Sequence, residues 1–248
     1  MSNKTLTGNK QQKIFQILQQ GFISGNAIKI IALVTMTIDH IGVNFFPDIY
    51  IFRIIGRISF PLFSYMIAEG CRYTRNKLKY FFSVFILGTL CQIVYYIADN
   101  SLYMGVLITF SISILIIFSI QWAKNNCFNP FGWILPFSVI LWALFLCEIL
   151  PLYLSDTNYH IDYRFFGIML PVIISLSDRR DIRFILATAG TVVLALSLTA
   201  IQWWGLLSLI PLALYNGKRG KMRIKYLFYI YYPAHLLIID YIATLTEG

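Results

Sequence analysis

The chain has 248 residues, 58% of them hydrophobic, 17% aromatic and only 12% charged, with a formal net charge of +9. That balance excludes an ordinary soluble domain and points to a polytopic membrane protein. The basic excess does not argue for nucleic acid, because the cations sit in short stretches between apolar runs and there report topology.

Residues 1–26 are polar and rich in Gln and Lys, with Phe15, Ile17, Leu18 and Phe22 in a weak amphipathic pattern. This predicts a cytoplasmic interfacial helix rather than a secretory signal. No linker, repeat or low-complexity run follows, so 27–248 is expected to form a single transmembrane domain. Roughly 20 apolar residues cross a bilayer as a helix. On that rule about nine spans are predicted, at 27–46, 50–69, 79–98, 102–121, 131–150, 163–177, 183–200, 202–215 and 225–244, the sixth to eighth being short. Helices are required because backbone groups go unsatisfied in lipid otherwise.

Lys4, Lys10 and Lys13 precede the first span, and Arg72, Arg75, Lys77 and Lys79 follow the second. Lys124 follows the fourth, Arg179, Arg180 and Arg183 the sixth, and Lys218, Arg219, Lys221, Arg223 and Lys225 the eighth. The alternate loops carry Asp48, Asp99, Asp156 and Asp162. By the positive-inside rule the N-terminus is cytoplasmic and the C-terminus external. The fold class is therefore an all-α integral membrane protein, its helices placed around a polar intramembrane cavity. Cys71, Cys91, Cys127 and Cys147 show no metal-ligand spacing, and neither a metal site nor a disulfide framework is expected.

Charged groups at membrane depth are expensive and must pair or line a polar cavity. Asp39, His40, Arg53, Arg57 and Glu69 interrupt the first two spans. Lys29 and His40 are eleven residues, about three turns, apart, so they share nearly one helix face, roughly 16 Å from each other. A ligand with anionic phosphates at Lys29 and a long arm would present its far end to His40; the plainer reading is a lysine reaching for lipid headgroups. A histidine beside an aspartate in a membrane is either a hydrogen-bonded structural pair or an acid–base group or nucleophile. Arg53 and Arg57, four apart, need an anionic partner, for which Asp39 is best placed. Pro61 is expected to kink the second span and free a carbonyl. His160 and Asp162 cap the cavity from outside or form a solvated turn. His235, near mid-membrane with Tyr231 and Tyr232 one turn before it, either orients His40 or is structural.

At these residues the sequence resembles the TraX family. The motifs are Thr-Ile-Asp39-His40-Ile-Gly, Gly56-Arg57-Ile-Ser-Phe-Pro61-Leu-Phe, Ala-Glu69-Gly with Tyr-Thr-Arg75-Asn76, and Leu-Tyr-Asn216-Gly-Lys-Arg-Gly leading to Tyr-Pro233-Ala-His235-Leu. The resemblance runs from about residue 27 to 240. It implies a multi-span acyltransferase of the bacterial plasma (inner) membrane that uses acetyl-CoA. The acceptor would be an amine or hydroxyl of a pilin-like peptide, a glycan or a lipid. In many members of the wider group of such enzymes an arginine and the first-span histidine are separated by ten residues; here Lys29 takes the arginine's place. The resemblance and the residues together nominate His40, Asp39, Arg57 and His235 as catalytic. Lys29, Arg53, Glu69, Arg72, Arg75, Asn76, Asp162 and Tyr232 are nominated for substrate binding. The competing class is a proton- or ion-coupled transporter, whose pathway would use the same buried groups; no inverted repeat supports it.

Overall fold

The computed structural model describes residues 21–126, 130–221 and 225–247. The expected N-terminal helix lies almost wholly outside them, as do Cys127 and Arg223. The described residues are helical throughout, with two isolated β-bridges and no sheet. In order come α1 (Gly25–Phe45), α2 (Tyr50–Gly56), α3 (Ser59–Tyr73), α4 (Lys77–Asp99) and α5 (Val106–Asn125). A 3₁₀ turn (Pro130–Trp133) leads into α6 (Ile134–Leu144), a π-turn (Phe145–Ile149) and α7 (Leu150–Tyr153). Then follow α8 (Arg164–Ser175), α9 (Arg180–Ser197), a 3₁₀ stretch (Ala200–Ser208), α10 (Leu209–Ala213) and α11 (Lys225–Glu247).

Among the described residues five helices are long and apolar enough to cross a membrane: Gly25–Phe45, Tyr50–Tyr73, Lys77–Ile97, Val106–Asn125 and Phe131–Tyr153. The later spans depart from expectation. Arg164–Ser175 is short, and α9 opens on Arg180, Asp181 and Arg183. The first half of the predicted span at 202–215 is 3₁₀ helix, which rises about 2.0 Å per residue instead of 1.5 Å, so it reaches further than an α-helix of the same length. The fourth span starts at Val106, not 102, because Met104 is extended and bridges Ile161.

The chain divides into two compact units, one made of the described residues up to Phe63 and from Trp204, the other of Ser64–Trp203. The division falls inside α3. In the first unit the segment before α1 is stitched to the loop after α10. Asn216 N–H donates to the Ile23 carbonyl (2.9 Å), Gly25 N–H to Lys218 O (2.8 Å) and Asn26 N–H to Arg219 O (2.9 Å). Gly220 sits at φ +92° with Ser24 Oγ 2.9 Å from where a Cβ would stand, so only glycine fits this seam. That accounts physically for the Asn-Gly-Lys-Arg-Gly run. In the second unit α5 is the buried centre, and Thr109 and Ser113 tie it by hydroxyl bonds to the Asp162 and Ile168 carbonyls, each 2.8 Å.

The second span is broken, but not at the proline. The helix ends at Gly56, turns through Arg57 and Ile58, and restarts at Ser59, whose hydroxyl donates to the Gly56 carbonyl (2.8 Å). Pro61 falls in the first turn of α3, where its missing N–H has no intrahelical acceptor to lose. The kink expected at Pro61 is thus a helix restart, and the free carbonyl belongs to Gly56 and is satisfied.

Candidate functional site

In the first unit α1 and α2 form an antiparallel hairpin that brings Asp39 against Gly56. Asp39 spends its two oxygens separately. Oδ1 receives Arg53 Nη1 and Oδ2 receives Arg57 Nη2, each at 3.0 Å. The aspartate and Arg57 side chains are 13% and 9% exposed, and Arg53 is more open at 35%. Two guanidinium groups against one carboxylate leave a surplus positive charge in a desolvated setting.

His40 faces another way. Consecutive residues on a helix point about 100° apart, so the hydrogen-bonded carboxylate–imidazole pair, one of the two readings of Asp39 beside His40, is not made. Instead the His40 ring stacks on His235 of α11, centroids 5.2 Å apart and planes 11° from parallel. His235 is 5% exposed. The Tyr231 ring also stacks with it (5.1 Å, 12°), and the Tyr232 ring meets it edge-on (5.6 Å, 74°). His235 Nδ1 lies 2.9 Å from the Tyr231 carbonyl. A carbonyl only accepts, so Nδ1 carries the proton, and Nε2 is the acceptor nitrogen of the neutral ring. Thr37 holds the stack from α1. Its hydroxyl donates to the Leu33 carbonyl (2.9 Å) and so accepts from the Tyr231 phenol at 2.8 Å.

His40 Nδ1 and His235 Nε2 are buried and have no hydrogen-bond partner among the described residues. Buried polar atoms are nearly always paired. Two unpaired imidazole nitrogens on adjoining rings therefore make an opening for a polar group of another molecule.

Lys29 lies one turn into α1, beside the Lys218–Arg219 seam that borders the helix N-terminus.

The other nominated residues belong to the second unit. Glu69 is bonded to Arg183 in a buried pair, and the Arg183 guanidinium lies 4.7 Å over the Tyr65 ring. Arg183 was read from the sequence only as a topology charge, yet it is 2% exposed. Arg72 is held by the Asp178 carboxylate (3.2 Å) and carbonyl (2.8 Å). Asn76 caps α4 by accepting from the Lys79 N–H at 2.9 Å. Arg75 is exposed. The Asp162 backbone pairs with Met104 and Thr109. The polar groups thus fall into two sets, one inside each unit, with His40 and His235 in the first and His160, against the Tyr103 ring, in the second.

Thr37 and Tyr231 were missed as site residues, although Tyr231 shares the His235 face at i, i+4. Thr37 and Arg183 carried no local signal, because each is defined by a partner distant in sequence.

The described residues are all-helical, with five apolar helices of membrane-crossing length and buried ion pairs among them, which is the make-up of a membrane protein. The chain matches the TraX protein family over residues 24–243 and belongs to that family. It is 23% identical over 239 residues to the "probable fimbrial assembly protein FimC" of Dichelobacter nodosus, covering 86% of this chain and 92% of that one. It is 38% identical over 66 residues to the uncharacterized protein RP591 of Rickettsia prowazekii, covering 27% of this chain and 25% of that one. No solved structure matches.

Proposed function

We propose that the protein is an acyltransferase of the bacterial plasma membrane that moves an acetyl group from cytoplasmic acetyl-CoA to an amine or hydroxyl of an acceptor in or across the bilayer. The observation that carries this reading is the stacked His40–His235 pair with its two unpaired buried nitrogens. A histidine pair with only a structural role would be hydrogen-bonded on both rings, and an imidazole is the side chain best suited to move protons near neutrality.

The donor supplies an activated thioester. His40 accepts the proton of the acceptor N–H or O–H as the acceptor lone pair bonds to the acetyl carbon. The carbon–sulfur bond breaks, sulfur keeps the electron pair, and the imidazolium returns the proton to it. His235 holds the His40 ring in place by stacking. The surplus positive charge of Arg53 and Arg57 over Asp39 stabilises negative charge on the acetyl oxygen in the transition state. Lys29, Lys218 and Arg219 beside the α1 N-terminus receive the donor phosphates. The distribution of Lys and Arg supports a cytoplasmic N-terminus. Arg72 and Asn76 already serve the fold, which favours the Lys29 end over the Arg72–Asn76 loop for the donor. Family membership, and a relative named for fimbrial assembly, support a pilin-like subunit as the acceptor.

The test is transfer or hydrolysis of radiolabelled acetyl-CoA by protein in bilayer nanodiscs. His40→Ala is expected to lose transfer while keeping its melting temperature, because groups placed for catalysis rather than stability are removed at little cost to the fold. His235→Ala retains a small residual rate. A well-inserted His40→Ala protein that still works at the wild-type rate removes His40 from the mechanism. Failure to bind acetyl-CoA in lipid removes the donor, and proton- or ion-coupled flux in its place would establish a transporter.

A further inference from the structure

In the second unit the surface of α5 is left uncovered between α4 on one side and α6 with its π-turn on the other, forming a cavity of about 220 Å³. Ile108, Ile112 and Leu115 make its floor at positions i, i+4 and i+7, a single helix face. The one floor hydroxyl, Ser111 Oγ, is spent on its own helix, donating to the Leu107 carbonyl at 2.7 Å. Phe85 stands on the α4 wall, braced by Phe81 stacked at 5.5 Å. Trp142 and Leu146 form the other wall.

Two features say what fills this cleft. Both walls belong to helices of membrane-crossing length whose remaining residues are mostly exposed and apolar. The cleft therefore opens between two hydrocarbon-facing surfaces, where water is excluded and an apolar cavity stays dry. The wall is also purposely irregular. Leu146 sits in the Phe145–Ile149 π-turn, an insertion that widens a helix and recurs at functional sites.

We propose that this cleft is a binding site for one acyl chain of a bilayer phospholipid. The site rests on the membrane reading above and is independent of the histidine chemistry. Tyr159, from the loop before α8, closes one end. A phenol is neutral near pH 7, and its hydroxyl is a donor for a lipid ester oxygen.

The experiment places the photocrosslinker benzoylphenylalanine at Phe85, or at exposed Leu90 on the same helix as a control, and irradiates whole membranes. Phe85 is expected to give a phospholipid adduct by mass spectrometry. Filling the floor with Leu115→Trp or Ile108→Trp should remove most of that adduct and leave the Leu90 adducts unchanged, with the melting temperature confirming the fold. An adduct with a polypeptide, whether a second copy or another protein, overturns the proposal. So does a lipid adduct at Phe85 that neither filling variant reduces. Carbonate washing separates the two readings. A protein stripped from the membrane brings down the membrane reading as well, whereas one that stays embedded but fails the filling test brings down the cleft alone.

Discussion

Gly56 stands where Asp39 needs room: a Cβ there would lie 2.3 Å from the aspartate Cβ, Cγ and Oδ1. Neither α1 nor α2 yields cheaply, because Asp39 is anchored on two guanidinium groups. Gly56→Ala is therefore expected to cost about 1–3 kcal/mol, the range for overpacking a close contact, and to loosen the Arg53 and Arg57 bonds. Thermal unfolding in detergent measures it, and an unchanged melting temperature would mean that the hairpin opens without penalty. The pairing of Asp39 with two arginines was readable from the four-residue spacing of Arg53 and Arg57. Of the two readings of Asp39 beside His40, the hydrogen-bonded pair is the one the structure does not make, since neighbours in sequence diverge around a helix. The glycine's role was not readable at all. It depends on which residue faces it from another helix, and a motif alone does not say that.

Among the elements, Pro61 tests where the second span breaks. In a helix interior a proline costs about 3 kcal/mol, so its removal there would stabilise by that order. In the first turn of α3 it instead stiffens the unfolded chain, and Pro61→Ala is expected to cost about 0.4–1 kcal/mol. Chemical unfolding of the two proteins side by side decides, and a large gain in stability would restore the mid-helix kink. The first five apolar stretches were legible to within a few residues because hydropathy over some 20 positions is a strong signal. The region 200–213 was not, because apolarity does not distinguish α from 3₁₀ winding. Arg183 was hidden by its neighbours. Next to Arg179 and Arg180 it looks like another loop cation, and only the Glu69 carboxylate and Tyr65 ring show that it points inward.

For the molecule as a whole, the loop charges predict sidedness. Single cysteines at Arg75→Cys and Lys218→Cys are expected to react with an impermeant maleimide only from the cytoplasmic face, and Asp156→Cys only from outside. Reaction of Arg75→Cys and Asp156→Cys from one side would reverse or dismantle the topology. Helical class and membrane character followed from composition. The sorting of buried charges into two sets did not, because it follows from packing between segments far apart in the chain.

The stack that joins His40 to His235 also has a history in time. Thr37 and Tyr231, which lock it, are 194 residues apart, and the seam at Asn216–Gly220 that steadies the start of α1 is made almost as late. A ribosome adding about 5–20 residues per second needs roughly 10–40 s between the two histidines. Through that interval the first helix waits with its imidazole unmatched while the whole second unit is synthesised and packed. On the acyl-transfer reading proposed above, a polypeptide released early would carry His40 without the stack that completes the centre.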